Sequence, residues 1–353
     1  MKVKAKKVIE YVLLLGLAAV LLWLAFRSVN WSEFWNDLRT CRWEWVVAMM
    51  LLQCVITLMR GERWRLMMRP LTKELKTRET YDAYAICYLA NLAFPRSGEV
   101  VRCGLIAETR KTHFEGALGS VVIERTWDIV CTFLCCIPLL FFGRFRDYLN
   151  EKLFGNITGS LTWLWIALGA VAVITGIVLL VRANREKIAK SKVGAAILRF
   201  FKKLADGIAS AFRMERKWAF FGYTIAIWVS YWLCSLWTIN ALPAADGMDG
   251  WDALFLMVVG SLGWIIPVPG GFGAYHGIIS VTLMSIYGFS QTNSLAFAAV
   301  SHEAQVVQML VIGLISLVSW GIARRHRERL AEAVLEAEEP AQQTETESIN
   351  TTA

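Results

Sequence analysis

Long runs of apolar residues, separated by short charged segments, follow one another along most of the chain. These runs cover residues 8–26, 43–59, 114–142, 161–181, 218–242 and 295–323. An α-helix needs about 20 apolar residues to cross the hydrocarbon core of a bilayer. Two further apolar segments, residues 81–106 and 254–287, are interrupted by proline and glycine. The pattern predicts an all-α polytopic membrane protein with about six full spans and two broken helical hairpins.

The first interrupted segment, residues 81–106, breaks at Pro95-Arg-Ser-Gly-Glu99. Its 26 residues fall short of the roughly 40 that two full crossings require. Basic residues flank it on both sides, which indicates that both of its ends lie in the cytoplasm. We therefore expect a re-entrant hairpin that enters the membrane and returns to the same face.

The second interrupted segment contains two prolines and four glycines within residues 267–277. Proline removes a backbone donor and glycine adds conformational freedom, so a helix cannot continue through this stretch. Open backbone within a bilayer is tolerated only where protein or a wet cavity surrounds it, which makes the stretch a candidate site. Two alternatives remain open: a cytoplasmic turn between ordinary spans, or two thin crossings made by residues 254–287.

Composition supports the membrane assignment and excludes several other classes. Hydrophobic residues make up 56% of the 353 residues, and 16 are tryptophan. The net charge is +8, but the basic residues lie in short loops beside apolar runs, so nucleic-acid binding is not expected. The eight cysteines lack metal-ligand spacing, and we expect no disulfide, metal or other cofactor.

Loop charges predict the orientation of the chain. Lysines precede the first run, which we interpret as a retained span rather than a cleaved signal peptide. Residues 60–79 carry seven basic and three acidic side chains, and residues 182–217 carry eleven and three, so both segments and both termini are expected in the cytoplasm. Apolar residues recur at helical spacing within residues 182–217, which predicts an interfacial helix, although a plain basic linker is also compatible. Residues 324–353 are predicted to form a disordered cytoplasmic tail.

Within a single membrane domain covering residues 1–323, two units share one plan: a span, a broken hairpin, and a span with charged groups in its first third. The units cover roughly residues 43–142 and 218–323, and loop charge gives them opposite orientations. Paired interrupted segments in inverted halves indicate a transporter site near the midplane. The candidate substrate-binding residues are Arg96, Glu99, Arg102, Glu124, Arg125, Asp128, Pro267, Pro269, Gly270, Gly271, Gly273, His276, His302 and Glu303. For the charged members, an ion network that only locks helices together is the alternative.

Three motifs together resemble the lysylphosphatidylglycerol synthase transmembrane family, which is flippase-like. They are the Pro95-Arg-Ser-Gly-Glu99 stretch with Arg102, Glu124-Arg-x-x-Asp128, and Pro267-x-Pro-Gly-Gly-Phe-Gly273. The resemblance implies a multi-pass protein of the bacterial inner membrane that handles lipid headgroups. Two departures limit it. The position of His276 often holds Glu in the family, and the 30 residues after Ala323 (353 − 323) are too few for the aminoacyl-transferring domain, so lysyl transfer is not expected.

The leading hypothesis is translocation of a phospholipid or a lipid-linked headgroup between leaflets. Arg96 and Arg125 would pair with phosphate, and the acidic residues would hold those arginines or bind a cationic headgroup. His276 and His302 could couple a proton. A membrane-embedded transferase or hydrolase is an alternative, although the sequence has no known catalytic motif. A scaffold for a lipid-synthesis enzyme is another. The expected partners are membrane lipids, either anionic phospholipid or polyprenyl-linked.

Overall fold

A computed structural model describes residues 2–153, 184, 191–264 and 266–351, and throughout these residues regular structure is helical. We number the α-helices along the described residues. They are α1 Lys2–Phe26, α2 Trp31–Thr40, α3 Trp43–Met68, α4 Thr77–Ala93, α5 Gly98–Glu108, α6 Phe114–Leu139, α7 Gly143–Leu153, α8 Lys192–Phe212, α9 Lys217–Ala241, α10 Gly250–Gly263, α11 Ala274–Tyr287 and α12 Gln291–Thr351. Short 3₁₀ turns lie at Pro243–Ala245 and Pro269–Gly271.

Three of the described helices are long and apolar enough to cross a membrane. They contain Trp43–Met68, Lys217–Ala241 and Gln291–Leu330. A fourth span results if Val12–Phe26 and Trp31–Thr40, which meet at 91°, are taken together. Helix α6 has 26 residues, but Glu124, Arg125 and Asp128 reduce its apolar character. The predicted span over residues 161–181 lies outside the described residues.

Both interrupted segments are helix–break–helix structures, as the sequence predicts. In the first, α4 and α5 pack against each other across a turn at residues 94–97. In the second, α10 and α11 pack against each other across the 3₁₀ turn at Pro269–Gly271. Positive φ angles at Gly270, Gly271 and Gly273 form this break, a conformation that L-residues with a side chain rarely adopt.

Two of the charged segments between the apolar runs contain helices. Residues 28–42 include α2, which begins where the Asn30 side chain accepts from the backbone N–H groups of Ser32 and Glu33 at 3.1 and 3.4 Å. Such an N-cap satisfies donors that the first turn leaves unpaired. Residues 143–160 include α7, and Gly143 at its start has a positive φ. Loop charge therefore did not indicate the short helices in these segments.

Helix α12 continues from its apolar part through most of the segment predicted as a tail, to Thr351. Arg324 donates to Glu328, four residues further on, at 2.9 Å. Such pairs, together with the alanines and glutamates of this segment, favour helix locally. Low hydrophobicity predicted the absence of a packed core, and it does not exclude an extended helix.

The packing brings the two proposed units together. Helix α3 lies along α9, α4 packs against α12, and α10 packs against α6. Helix α8, within the segment predicted to be interfacial, packs mainly on α6. The second break also contacts the first hairpin, because Gly270 lies against Leu92 near the end of α4.

Candidate functional site

Helix α3 carries its charged end into the protein interior. The sequence pattern ended this span at Met59 and assigned the following arginines to a cytoplasmic loop. The helix instead continues to Met68, and Arg60 and Arg63 are buried on it. A helix accommodates both arginines on one face because they are three residues apart. Their guanidinium groups meet the acidic residues of α6.

Glu124 lies at the centre of this group. Its Oε1 atom accepts from Arg60 Nη2 at 2.7 Å, from Arg63 Nη2 at 3.4 Å and from the Tyr84 hydroxyl. Its Oε2 atom accepts from Arg102 Nη2 at 2.5 Å. Four donors on three helices, α3, α4 and α5, thus converge on one fully buried carboxylate of α6. Charge-assisted hydrogen bonds of this kind are about twice as strong as neutral ones.

Aromatic rings enclose the Arg102 guanidinium. Its carbon lies 4.7 Å from the ring centroid of Trp64 and 4.4 Å from that of Tyr84. The electron-rich face of an aromatic ring attracts a cation, and more strongly when both are desolvated. Arg102 is therefore held by one carboxylate and two rings.

Asp128, one turn after Glu124, extends the group toward the surface. It accepts from Arg60 at 3.0 Å and from Arg63 at 2.7 Å. Arg125 lies at the rim, where it donates to Glu99 at 2.5 Å. The Arg125 side chain is 47% exposed and that of Glu99 is 21% exposed. We call Arg60, Arg63, Glu99, Arg102, Glu124, Arg125 and Asp128 the arginine network.

Several polar atoms of the arginine network remain unpaired among the described residues. They are Arg60 Nε, Arg63 Nε and Nη1, Arg102 Nε and Nη1, and Glu99 Oε2. A buried donor without a partner costs about 1–3 kcal/mol, and more when it is charged. The network thus has hydrogen-bonding capacity that its own carboxylates do not use.

The turn of the first hairpin positions the rim of the network. Arg96 has a φ of 58°, and an exposed side chain. Gly98 follows, packed so tightly that a Cβ atom there would lie 2.1 Å from the Cys87 carbonyl oxygen. The Gly98 N–H donates to the Asn91 side chain at 2.8 Å. These contacts fix the start of α5, and with it Glu99 and Arg102.

A second polar group lies beside the break between α10 and α11. His276, in the first turn of α11, has its Nε2 atom 3.3 Å from Glu303 Oε1. His302 Nδ1 is 3.1 Å from the same oxygen, and His302 Nε2 is 2.8 Å from the carbonyl oxygen of Gly270. Both histidines are buried, whereas the Glu303 side chain is 46% exposed. We call these three residues the histidine group.

The remaining candidate residues shape the second break rather than supply charge. Pro267 is exposed, whereas Pro269, Gly270, Gly271 and Gly273 are buried. At Gly273 a Cβ atom would lie 2.5 Å from Leu21 Cβ, so the backbone approaches α1 closely there. The candidate residues therefore fall into an arginine network in the first unit and a histidine group in the second.

Sequence reasoning missed Arg60, Arg63 and Tyr84, which all contact Glu124. The spacing of the first two was a usable signal, because arginines three apart can face carboxylates four apart on a neighbouring helix. A surface cavity of about 350 Å³ lies near Pro70 and Arg213 between α3 and α8. It is not lined by either polar group.

These features define a helical membrane protein in which broken hairpins carry buried polar residues. The Lysylphosphatidylglycerol synthase TM region family matches residues 11–313, and the chain belongs to this family. No curated protein matches the chain significantly. No solved structure does so either.

Proposed function

We propose that the protein moves a phosphate-bearing lipid headgroup between the two leaflets of the membrane, while the lipid tails stay in hydrocarbon. The observation that carries this proposal is the excess of arginine in the arginine network. Four arginines (60, 63, 102 and 125) face three acids (99, 124 and 128), a balance of 4 − 3 = +1. An uncompensated buried charge is costly, and an anionic group would neutralise it.

The unpaired guanidinium N–H groups support a phosphate as that anion. Guanidinium offers donors in a planar fork that matches phosphate oxygens. Arg125 is the most exposed member, at 47%, and it is paired with Glu99, so we expect this pair to meet the headgroup first. If Arg125 released Glu99 and paired with the phosphate instead, the headgroup would enter without leaving Arg125 unpaired. An anionic phospholipid and a polyprenyl-linked headgroup share this chemistry.

We also propose that residues 43–142 and 218–323 form an inverted repeat. The two units have the same pattern of helix contacts. In the first unit α3 contacts α4, α4 contacts α5, α5 contacts α6, and α3 contacts α6. In the second unit α9 contacts α10, α10 contacts α11, α11 contacts α12, and α9 contacts α12. Between units, α4 against α12 corresponds to α10 against α6. The polar contacts also correspond, since Arg102–Glu124 and His276–Glu303 each join the second arm of a hairpin to the following span.

The lengths of three of the four hairpin arms support re-entrant hairpins. Helix α5 has 11 residues, and α10 and α11 have 14 each. At 1.5 Å per residue these arms are about 16 and 21 Å long, shorter than a hydrocarbon core of about 30 Å. Alternating access in such folds arises when one repeat moves against the other around a central site.

The positive-inside rule favours both termini in the cytoplasm, and the family supports a location in the bacterial inner membrane. On this topology α8 belongs to a cytoplasmic, basic segment that would lie at the headgroups of anionic lipids. The same segment is a reasonable contact for a lipid-synthesis enzyme that supplies the transported lipid.

Leaflet exchange in liposomes tests the proposal. Purified protein would be reconstituted with fluorescently labelled anionic, cationic or zwitterionic phospholipid, or with a labelled polyprenyl phosphate, and exchange followed by quenching of the outer leaflet. We expect protein-dependent exchange of a phosphate lipid with net negative charge. Exchange equal to that of protein-free liposomes for every lipid would refute the proposal, and recovery of chemically altered lipid would favour an enzyme instead.

A further inference from the structure

The histidine group has the composition and spacing of a transition-metal site. Among the described residues it is the one set of three or more potential ligands whose donor atoms all lie within 4.8 Å of one another. Two imidazole nitrogens and one carboxylate oxygen form a ligand set that Zn²⁺ uses in open sites. The sequence did not suggest this, because one histidine comes from α11 and the other from α12, 26 residues away.

The distances fit tetrahedral coordination. Zinc binds nitrogen and oxygen at about 2.0–2.2 Å, which places neighbouring tetrahedral ligands about 3.3–3.5 Å apart. Glu303 Oε1 is 3.3 Å from His276 Nε2 and 3.1 Å from His302 Nδ1. These two distances fit, and the two histidine nitrogens lie within 4.8 Å of each other, so movement of the side chains would bring all three atoms around one ion.

The contacts of His302 place its Nδ1 atom toward the proposed ion. Its Nε2 atom faces the carbonyl oxygen of Gly270 at 2.8 Å, and a carbonyl only accepts, so Nε2 carries the hydrogen. Neutral His302 then directs the lone pair of Nδ1 at Glu303 Oε1, an acceptor at 3.1 Å. Two facing acceptors repel unless a proton or a metal ion lies between them.

One proton on His302 Nδ1 would also remove that repulsion, whereas protonating both histidines would be costly. The two rings lie 4.9 Å apart between centroids, and both are buried. Two adjacent buried imidazolium ions repel each other and lose their hydration. A single divalent ion instead binds both lone pairs together with the carboxylate.

The surroundings of His302 match those of a known metal ligand, whereas the second ring nitrogen of His276, Nδ1, has no partner among the described residues. A ligating histidine usually donates its second N–H to a carbonyl or carboxylate, which fixes the ring, and Gly270 provides this contact for His302. Glu303 is 46% exposed, which gives an ion access and leaves a fourth position for water or a phosphate oxygen.

We propose that His276, His302 and Glu303 bind one divalent transition-metal ion, with Zn²⁺ as the probe ion. The ion joins α11 to α12 beside the second break, and through Gly270 it steadies the 3₁₀ turn. This inference stands apart from lipid transport, because it concerns a different group of residues and is tested by metal binding alone.

The test uses full-length protein purified without a polyhistidine tag, stripped with chelator and then titrated with Zn²⁺. We expect one Zn²⁺ per chain, and affinity at least about tenfold weaker for His302→Gln, His276→Gln and Glu303→Gln. His113→Gln and His326→Gln are matched controls, because these are the other two histidines of the chain and both are exposed. Unchanged affinity in all three site variants would overturn the proposal.

X-ray absorption on the wild-type protein with one equivalent of Zn²⁺ identifies the ligands without any substitution. We expect nitrogen and oxygen scatterers at about 2.0–2.2 Å, with imidazole features. Sulfur scattering at about 2.3 Å would assign the ion to cysteine and contradict the proposal, as would failure to bind Zn²⁺. This measurement remains decisive if the histidine variants do not fold.

Discussion

Replacing Glu124 by Gln should destabilise the protein more than any other single charge removal in the arginine network. The substitution keeps the shape of the side chain but removes the negative charge on which Arg60, Arg63 and Arg102 converge. The side chains of Arg63 and Arg102 are fully buried. Their charges would remain within the protein with only Asp128, and the rim pair, to compensate them.

The expected magnitude follows from burial. Breaking a buried ion pair by removing one partner costs about 3–5 kcal/mol, because an uncompensated charge stays inside. Glu99→Gln is the matched control, since among the described residues Glu99 pairs with Arg125, whose side chain is 47% exposed. An exposed pair contributes about 0–1 kcal/mol.

The assay is equilibrium unfolding in mixed micelles, followed by the fluorescence of the 16 tryptophans as the fraction of denaturing detergent rises. Glu124→Gln should lower the free energy of unfolding by about 3–5 kcal/mol and Glu99→Gln by less than about 1 kcal/mol. Equal losses for the two variants would refute the view that the network is a desolvated ion cluster. Replacement of both Glu124 and Arg102 by Met should recover part of the loss, because it removes opposite charges together.

Two further predictions concern the hairpin turns. In the same unfolding assay, Gly273→Ala should lower the free energy of unfolding by about 2 kcal/mol or more, since the φ of Gly273 is 77° and the new Cβ would lie 2.5 Å from Leu21. Gly277 is the control, because it lies in a helix with open space around it. Gly277→Ala should therefore be neutral or stabilising. Similar effects at both glycines would contradict the close approach of α1 to the break. Arg96→Gly should raise stability by up to about 1 kcal/mol, because it relieves a left-handed φ of 58°; a loss would mean that the Arg96 side chain holds the turn.

The breaks were predictable because their cause is local. Prolines and glycines at residues 95–98 and 267–273 prevent a continuous helix whatever surrounds them. The spans within the described residues were predictable for a similar reason, since length and apolar composition are properties of one segment. The family also followed from local motifs, and its match to residues 11–313 confirms that resemblance.

The members of the arginine network were only partly predictable, because burial of Arg60 and Arg63 depends on a neighbouring helix. Basic residues after an apolar run usually mark a cytoplasmic loop. That rule predicted the end of the span at Met59, whereas α3 continues to Met68. Burial of these arginines is possible because they pair with the carboxylates of Glu124 and Asp128 on α6. A rule that considers only the α3 segment does not take these carboxylates into account. The division into two polar groups is likewise a property of packing between units.

The most direct test of the transport proposal is leaflet exchange of an anionic lipid by the double variant Glu99→Leu/Arg125→Leu. Removing both partners of the rim pair leaves no new unpaired charge, so the fold should survive. Glu62→Leu/Arg65→Leu is the matched control, because this pair, 2.6 Å apart on α3, lies outside the arginine network. The account predicts that the rim variant loses exchange while the control retains it. Exchange by the rim variant at the wild-type rate would contradict a role for Arg125 in receiving the headgroup.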